Sequence, residues 1–278
     1  MNLYNVINEI EKVDPEVYKR LDGRRDALKR FTGFAGKVAA VSLPLMLGSM
    51  FKKAYGQSTS EIVGVLNFAL TLEFLESEFY KKGVATSGLI PAADLPGITS
   101  IRDHENAHVT VLKQTITALG GTPVSFTLSN FDYTAGNGSG SGPYATVFSN
   151  YDTFLAVSQA FEDTGVRAYK GQAANLISNN EVLTAALQIH SVEARHASHI
   201  RYVRKQRGAN VKPWITGNDA GGVPGVAAVY AGEENTIQSG AQITGINGMS
   251  ISASAASEAF DEPLTKDQVM AIVDPFII

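Results

Sequence analysis

Apolar residues recur at helical spacing over residues 60–82, where Leu66, Ala69, Leu70, Phe74 and Tyr80 fall into step and Ser60 stands where an N-cap is expected. Residues 88–97 carry two prolines and read as a connector. The helical pattern resumes over 98–119 and stops at Gly120-Gly121. Residues 122–150 are polar and contain the run Gly136-Asn137-Gly138-Ser139-Gly140-Ser141-Gly142. About 30 residues without a helix is long for a connection inside a compact domain. Two further helices follow over 151–177 and 180–207, joined by Ser178-Asn179.

A helix of 23 residues is about 35 Å long, enough to traverse a domain. The pattern therefore predicts an all-α four-helix bundle made of two hairpins, with a long crossover between its second and third helices. Beyond Gly208 the chain turns to Gly, Pro, Ala and Ser with short β-branched runs, expected to be extended segments and turns with a structural role. Near the end, Thr265-Lys266-Asp267-Gln268 is a capping box that opens a short apolar helix over 269–272, expected to dock on the bundle. The expected division is an N-terminal segment 1–56, a bundle 57–207 and an extension 208–278.

Two acids interrupt the apolar stripes. Glu73 stands seven residues after Leu66 and seven before Tyr80, and Glu162 stands seven after Leu155 and seven before Tyr169. One hairpin further on come two Glu-x2-His pairs, Glu105/His108 and Glu193/His196, 32 and 31 residues after those acids. Composition alone predicts about 0.3 such pairs in the chain. Residues i and i+3 share a helix face, so each pair can serve one side of a site. A carboxylate from each of two helices plus a Glu-x2-His pair from each of two others is the set that holds two metal ions in a bundle core.

The charge argument points the same way. Four carboxylates at one point repel by several kcal/mol even at an effective dielectric near 20, and two divalent cations cancel them. Glu76 faces nearly the same way as Glu73, but the matched Glu-x6-Tyr spacing selects Glu73 as the ligand. Tyr80 and Tyr169 read either as hydrogen-bond donors behind the ligands or as plain core aromatics. All five histidines fall in the second and fourth helices, and His104, His190 and His199 read as ordinary satisfied histidines.

Composition narrows the chemistry. The 278 residues contain no cysteine, so metal ligands come from histidine and carboxylate alone. There is no Gly-rich phosphate loop, no Gly-x-Ser-x-Gly elbow and no basic stripe with interleaved aromatics.

At the N-terminus, Arg24-Arg25 and the basic residues after it precede an apolar stretch, 38–51, which is too short to span a membrane comfortably. With the small residues of Ala54-Tyr55-Gly56 behind it, the segment reads as an export signal of twin-arginine type, although Ala27 stands where that motif usually carries Phe. The alternative is an uncleaved amphipathic helix lying on the domain or on a membrane surface. Cleavage after Gly56 would leave 13 basic and 21 acidic residues, a net charge of −8, which argues against nucleic acid as a partner.

The chain resembles the ferritin-like superfamily, and in detail exported ferritin-like proteins related to desiccation-associated proteins. The residues that carry the likeness are Leu72-Glu73-Phe74-Leu75-Glu76, His104-Glu105-Asn106-Ala107-His108, Phe161-Glu162-Asp163-Thr164-Gly165-Val166 and Val192-Glu193-Ala194-Arg195-His196, spread over residues 60–207. The resemblance implies a di-iron or di-manganese centre with Glu73, Glu105, His108, Glu162, Glu193 and His196 as ligands, reacting with peroxide or dioxygen in the periplasm or cell envelope. Its alternative implication is a non-catalytic stress-associated scaffold or metal-sequestering protein. A rubrerythrin-type electron path is excluded because the chain has no cysteine. The sequence leaves a homo-oligomer open.

Overall fold

The structure, a computed structural model, describes residues 58–278. The segment 1–56, expected to be an export signal or an N-terminal helix, lies outside the described residues. Four long helices dominate: α1 (Thr59–Ala85), α2 (Leu95–Ala118), α3 (Tyr151–Ala173) and α4 (Asn180–Gln206). They pack as two hairpins, α1 on α2 and α3 on α4. Among the described residues, no helix is long and apolar enough to cross a membrane.

The local chemistry sets most helix starts. Ser58, not Ser60, caps α1: its Oγ accepts from the Glu61 N–H at 3.3 Å while Glu61 Oε2 accepts from the Ser58 N–H at 2.6 Å. This reciprocal bonding satisfies two N–H groups that the first turn leaves unpaired, and Ser60 has no glutamate at the matching offset. Helix α2 begins at Leu95, inside the stretch read as a connector, because Pro96 sits in its first turn, where a missing N–H costs nothing. Asn150 and Asn179 cap α3 and α4 by accepting from Thr153 N and Val182 N at 2.9 and 3.1 Å. Regular α-helix ends at Ala173 rather than near 177, and the last turn tightens into a 3₁₀ segment, Ala174–Leu176.

The crossover is irregular apart from a 3₁₀ turn at Leu128–Asn130, and side chains tie it down. Asn67 of α1 accepts from Val124 N at 2.8 Å and donates to Thr122 O at 3.1 Å. Tyr133 donates to Leu75 O at 2.7 Å and joins a buried aromatic group with Phe79, Phe148 and Phe161, in which Phe79 stacks on Phe154 at 4.7 Å. The Gly-rich run wraps the buried Asp132 carboxylate, which accepts from Thr134 N, Gly138 N and Gly140 N at 3.0 Å each. Those bonds hold its carboxyl below the usual range against the opposing effect of burial.

The extension is more structured than extended chain and turns. It forms two short helices, α5 (Ala227–Tyr230) and α6 (Ala253–Ser257), a two-residue hairpin of β1 (Ile237–Gln238) and β2 (Ala241–Gln242), and a final helix α7 (Lys266–Val273). Thr265 caps α7 through its Gln268 capping box, and Val269 and Val273 are buried where α7 meets α3. Gly171 permits the approach: a Cβ there would lie 1.9 Å from Leu264 O. The last residues reach the crossover, where Ile277 bridges Phe131 and Phe276 packs edge-on to Phe161.

Buried charges fasten the extension to the outer face of α3 and α4. Arg201 of α4 grips Asp163 of α3 through Nε and Nη2 at 2.6 to 3.1 Å, and Tyr230 of α5 donates to the same carboxylate at 2.7 Å. Arg167 of α3 bonds Glu262 O at 2.8 Å and Ala231 O at 2.7 Å and pairs with Glu233 at 2.8 Å. Burying a guanidinium is tolerable only with that many partners.

Candidate metal centre

Each long helix sends one glutamate to the middle of the bundle: Glu73 from α1, Glu105 from α2, Glu162 from α3 and Glu193 from α4, all fully buried. One turn beyond the two on the second helix of each hairpin stand His108 and His196, also buried. His108 Nδ1 lies 3.1 Å from Glu73 Oε2, 3.3 Å from Glu105 Oε2 and 3.1 Å from Glu193 Oε1. His196 Nδ1 lies 2.8 Å from Glu105 Oε1 and 3.3 Å from Glu162 Oε2. The donor atoms form two groups, each within 4.8 Å: Glu73, Glu105, His108 and Glu193, and Glu105, Glu162, Glu193 and His196. Glu105 and Glu193 belong to both.

The tyrosines cross over. Tyr80, on the same helix as Glu73, donates to Glu162 Oε1 at 2.5 Å, and Tyr169, on the same helix as Glu162, donates to Glu73 Oε1. Each phenol thus occupies one oxygen of an acid on the opposite hairpin and leaves the other oxygen facing the cluster.

Two further side chains join that sequence reasoning set aside. Glu76 is buried beside the cluster, and a Cβ on Gly165 would lie 3.5 Å from its Oε1 and 3.1 Å from Glu193 Oε2. Its signal was the i+3 offset from Glu73, which puts both acids on one face. His104 Nδ1 lies 2.9 Å from His196 Nε2. Nothing in its spacing announces this, since the contact runs between α2 and α4. His190 and His199 make no such approach, and their Nε2 atoms are buried without a hydrogen-bond partner.

The donors fit metal ions better than they fit one another. Glu105 Oε1, Glu162 Oε2, both Glu193 oxygens and His196 Nδ1 are buried and make no hydrogen bond. His196 Nδ1 and Glu105 Oε1 are 2.8 Å apart without bonding geometry, the relation expected of two ligands of one ion. An all-oxygen-and-nitrogen set of this kind could hold metal ions.

Without metal the cluster must hold protons. Burial, reinforced for Glu193 by the charge on Glu73, lifts Glu162 and Glu193 to about 8. Burial and the neighbouring carboxylates raise Glu105 and Glu76 well above the usual range. Burial works against a charged His108, yet the carboxylates of Glu193 and Glu73, each 3.1 Å from its Nδ1, raise it to about 10. Glu73 goes the other way: burial opposes its charge, and the bond and charge of His108 outweigh that. Burial keeps His196 below its ordinary value.

A consequence is testable in metal-free protein. The folded values of Glu162 and Glu193 exceed their ordinary 4.5, so their contribution to stability is whole below pH 4.5 and is lost as pH rises through about 8. His108, raised from 6.5, acts in the same sense at higher pH. The melting temperature of metal-free protein is therefore expected to fall between pH 5 and pH 8, while metal uptake at pH 7 should release protons. Calorimetry and an indicator-dye titration read the two effects. A metal-free melting temperature that rises across that range would contradict the proton assignment.

Residues 61–206 match the model of a family described as the ferritin-like domain, a stretch that spans just over half of the chain and carries every donor atom named above. No curated protein matches the sequence.

Proposed function

The chain belongs to the ferritin-like domain family, and on that premise we propose that it holds two divalent ions, iron or manganese, and uses them for redox chemistry with peroxide or dioxygen. Glu73 and His108 would hold one ion, Glu162 and His196 the other, and Glu105 and Glu193 would be shared. The observation that carries the reading is the convergence of buried donor atoms that have no hydrogen-bond partner. Bound as a pair, such ions supply a two-electron store, one electron from each, together with Lewis acidity toward an oxygen ligand.

The protein's own groups set the terms. Tyr80 and Tyr169 fix the rotation of Glu162 and Glu73 and so aim the free oxygens inward. Gly165 lets α3 pass close to Glu193 and Glu76, since a Cβ there would lie 3.1 Å from Glu193 Oε2 and 3.5 Å from Glu76 Oε1 and would crowd the carboxylates. Glu76, which burial and the neighbouring carboxylates raise well above the usual range in the metal-free cluster, places a further carboxyl group beside Glu193. The rings of Phe79 and Phe154 pack edge-on against Tyr80 and so back the phenol that holds Glu162.

The test is an oxygen-electrode assay of the manganese- or iron-loaded protein with hydrogen peroxide. Sustained oxygen release at many equivalents per chain is expected. A single stoichiometric reaction would replace turnover with sequestration, the stress-associated alternative that the likeness to desiccation-related proteins suggests. The paired arginines before the apolar stretch support a place in the cell envelope as part of the same proposal.

A further inference from the structure

The internal duplication breaks at one position next to the centre. Glu105 is preceded by His104, whereas its counterpart Glu193 is preceded by Val192. The break has a structural consequence. His196 turns Nδ1 toward Glu105 and Glu162, and its other nitrogen, Nε2, meets His104 Nδ1 at 2.9 Å with the two rings nearly parallel, 10° apart. His108 also turns Nδ1 toward its carboxylates, but among the described residues no hydrogen bond reaches its Nε2.

An imidazole that gives its Nδ1 lone pair to a metal ion must carry its hydrogen on Nε2. In a metal-bound His196 that hydrogen would point at His104 Nδ1, which can accept it. His104 in turn carries its own hydrogen on Nε2, on the exposed side of α2. The contact orients the His196 ring across the gap between the two hairpins and gives the metal-binding tautomer an acceptor for its Nε2 hydrogen. His108 has no such partner, and the residue that duplication would put in that role is a valine, which cannot accept a hydrogen bond.

We propose that His104 is a positioning residue for the ion on the His196 side, and that the two metal positions are consequently unequal, the His196 position being the tighter. This rests on the dinuclear reading above. Outer partners of metal-bound histidines typically contribute 10- to 100-fold to affinity. His104→Val, which makes the two halves alike, should therefore weaken one of two ions by about 10- to 100-fold and leave the other unchanged. His104→Asn, whose Oδ1 can replace the accepting nitrogen, should restore most of the loss.

The experiment is an anaerobic manganese(II) titration of the full chain followed by equilibrium dialysis. His104→Val is measured in three backgrounds, the wild type, His108→Ala and His196→Ala, with thermal unfolding of each metal-free variant alongside. The loss should appear in the His108→Ala background, which keeps the His196 position, and vanish in the His196→Ala background. A merely structural role for His104 would lower the metal-free melting temperature and weaken both positions. Equal affinities in wild type and His104→Val, or a loss that persists without His196, would overturn the proposal. A wild type that takes up no manganese or iron would overturn the dinuclear reading itself, so the two failures are distinct.

Discussion

Glu105→Ala and Glu193→Ala are each expected to release both metal ions, whereas Glu73→Ala and Glu162→Ala should each release one. The difference follows from membership. Glu105 and Glu193 contribute donor atoms to both groups, and Glu73 and Glu162 to one group each. Losing a shared carboxylate removes a ligand from both positions and also removes the charge that lets two cations sit close together. A fall of more than about 100-fold in affinity at both positions is expected, since even outer partners contribute 10- to 100-fold. The variants should remain folded when metal-free, because the lost carboxylate is one that burial and its neighbours press to take up a proton. Elemental analysis after dialysis gives the ion count, and circular dichroism checks the helices. Retention of a full complement in either shared-residue variant would sink the assignment.

The second large effect concerns the clamp behind the centre. Asp163→Ala should destabilise the protein by about 3 to 5 kcal/mol, because it leaves the buried Arg201 guanidinium without its counter-charge. It also strips Tyr230 of its acceptor and so loosens α5 from α3. Pairing the change with Arg201→Met should recover much of the loss, since removing both charges also removes the unpaired one. Urea unfolding of the two single variants and the double variant reads this as a coupling energy. Additive losses would show that the pair is not a unit. Asp163 directly follows Glu162 of the cluster but pairs with Arg201 on the other helix of its own hairpin, so metal binding reports whether the extension stiffens the site.

The bundle was legible because burial writes a period into the chain. Leu66, Glu73 and Tyr80 share one stripe, and the same offsets recur at Leu155, Glu162 and Tyr169, so two hairpins and their facing acids could be placed from spacing alone. The helix hairpins are local structure, and local structure leaves local signals. The Thr265 capping box was readable for the same reason.

What stayed hidden was carried by long-range contacts. The bond from Tyr80 to Glu162 spans 82 positions, and the donations from Arg167 to Glu262 and Ala231 span 95 and 64. No periodicity encodes such partners, and the extension therefore read as loosely structured although buried arginines fix it. The start of α2 was misplaced for a different reason. Pro96 was weighed as a breaker, but in a first turn its missing N–H has no partner to lose. His104 was passed over because a single histidine outside the repeated motif carries no spacing signal at all.

The central claim is that the buried Glu and His cluster is a dinuclear metal centre. It is tested most directly by counting iron and manganese per chain, by elemental analysis, in the full-length protein and in the Glu105→Ala/Glu193→Ala double variant after anaerobic loading. About two ions per wild-type chain and none in the double variant are expected. No ion in the wild type, or the same count in both proteins, would contradict it.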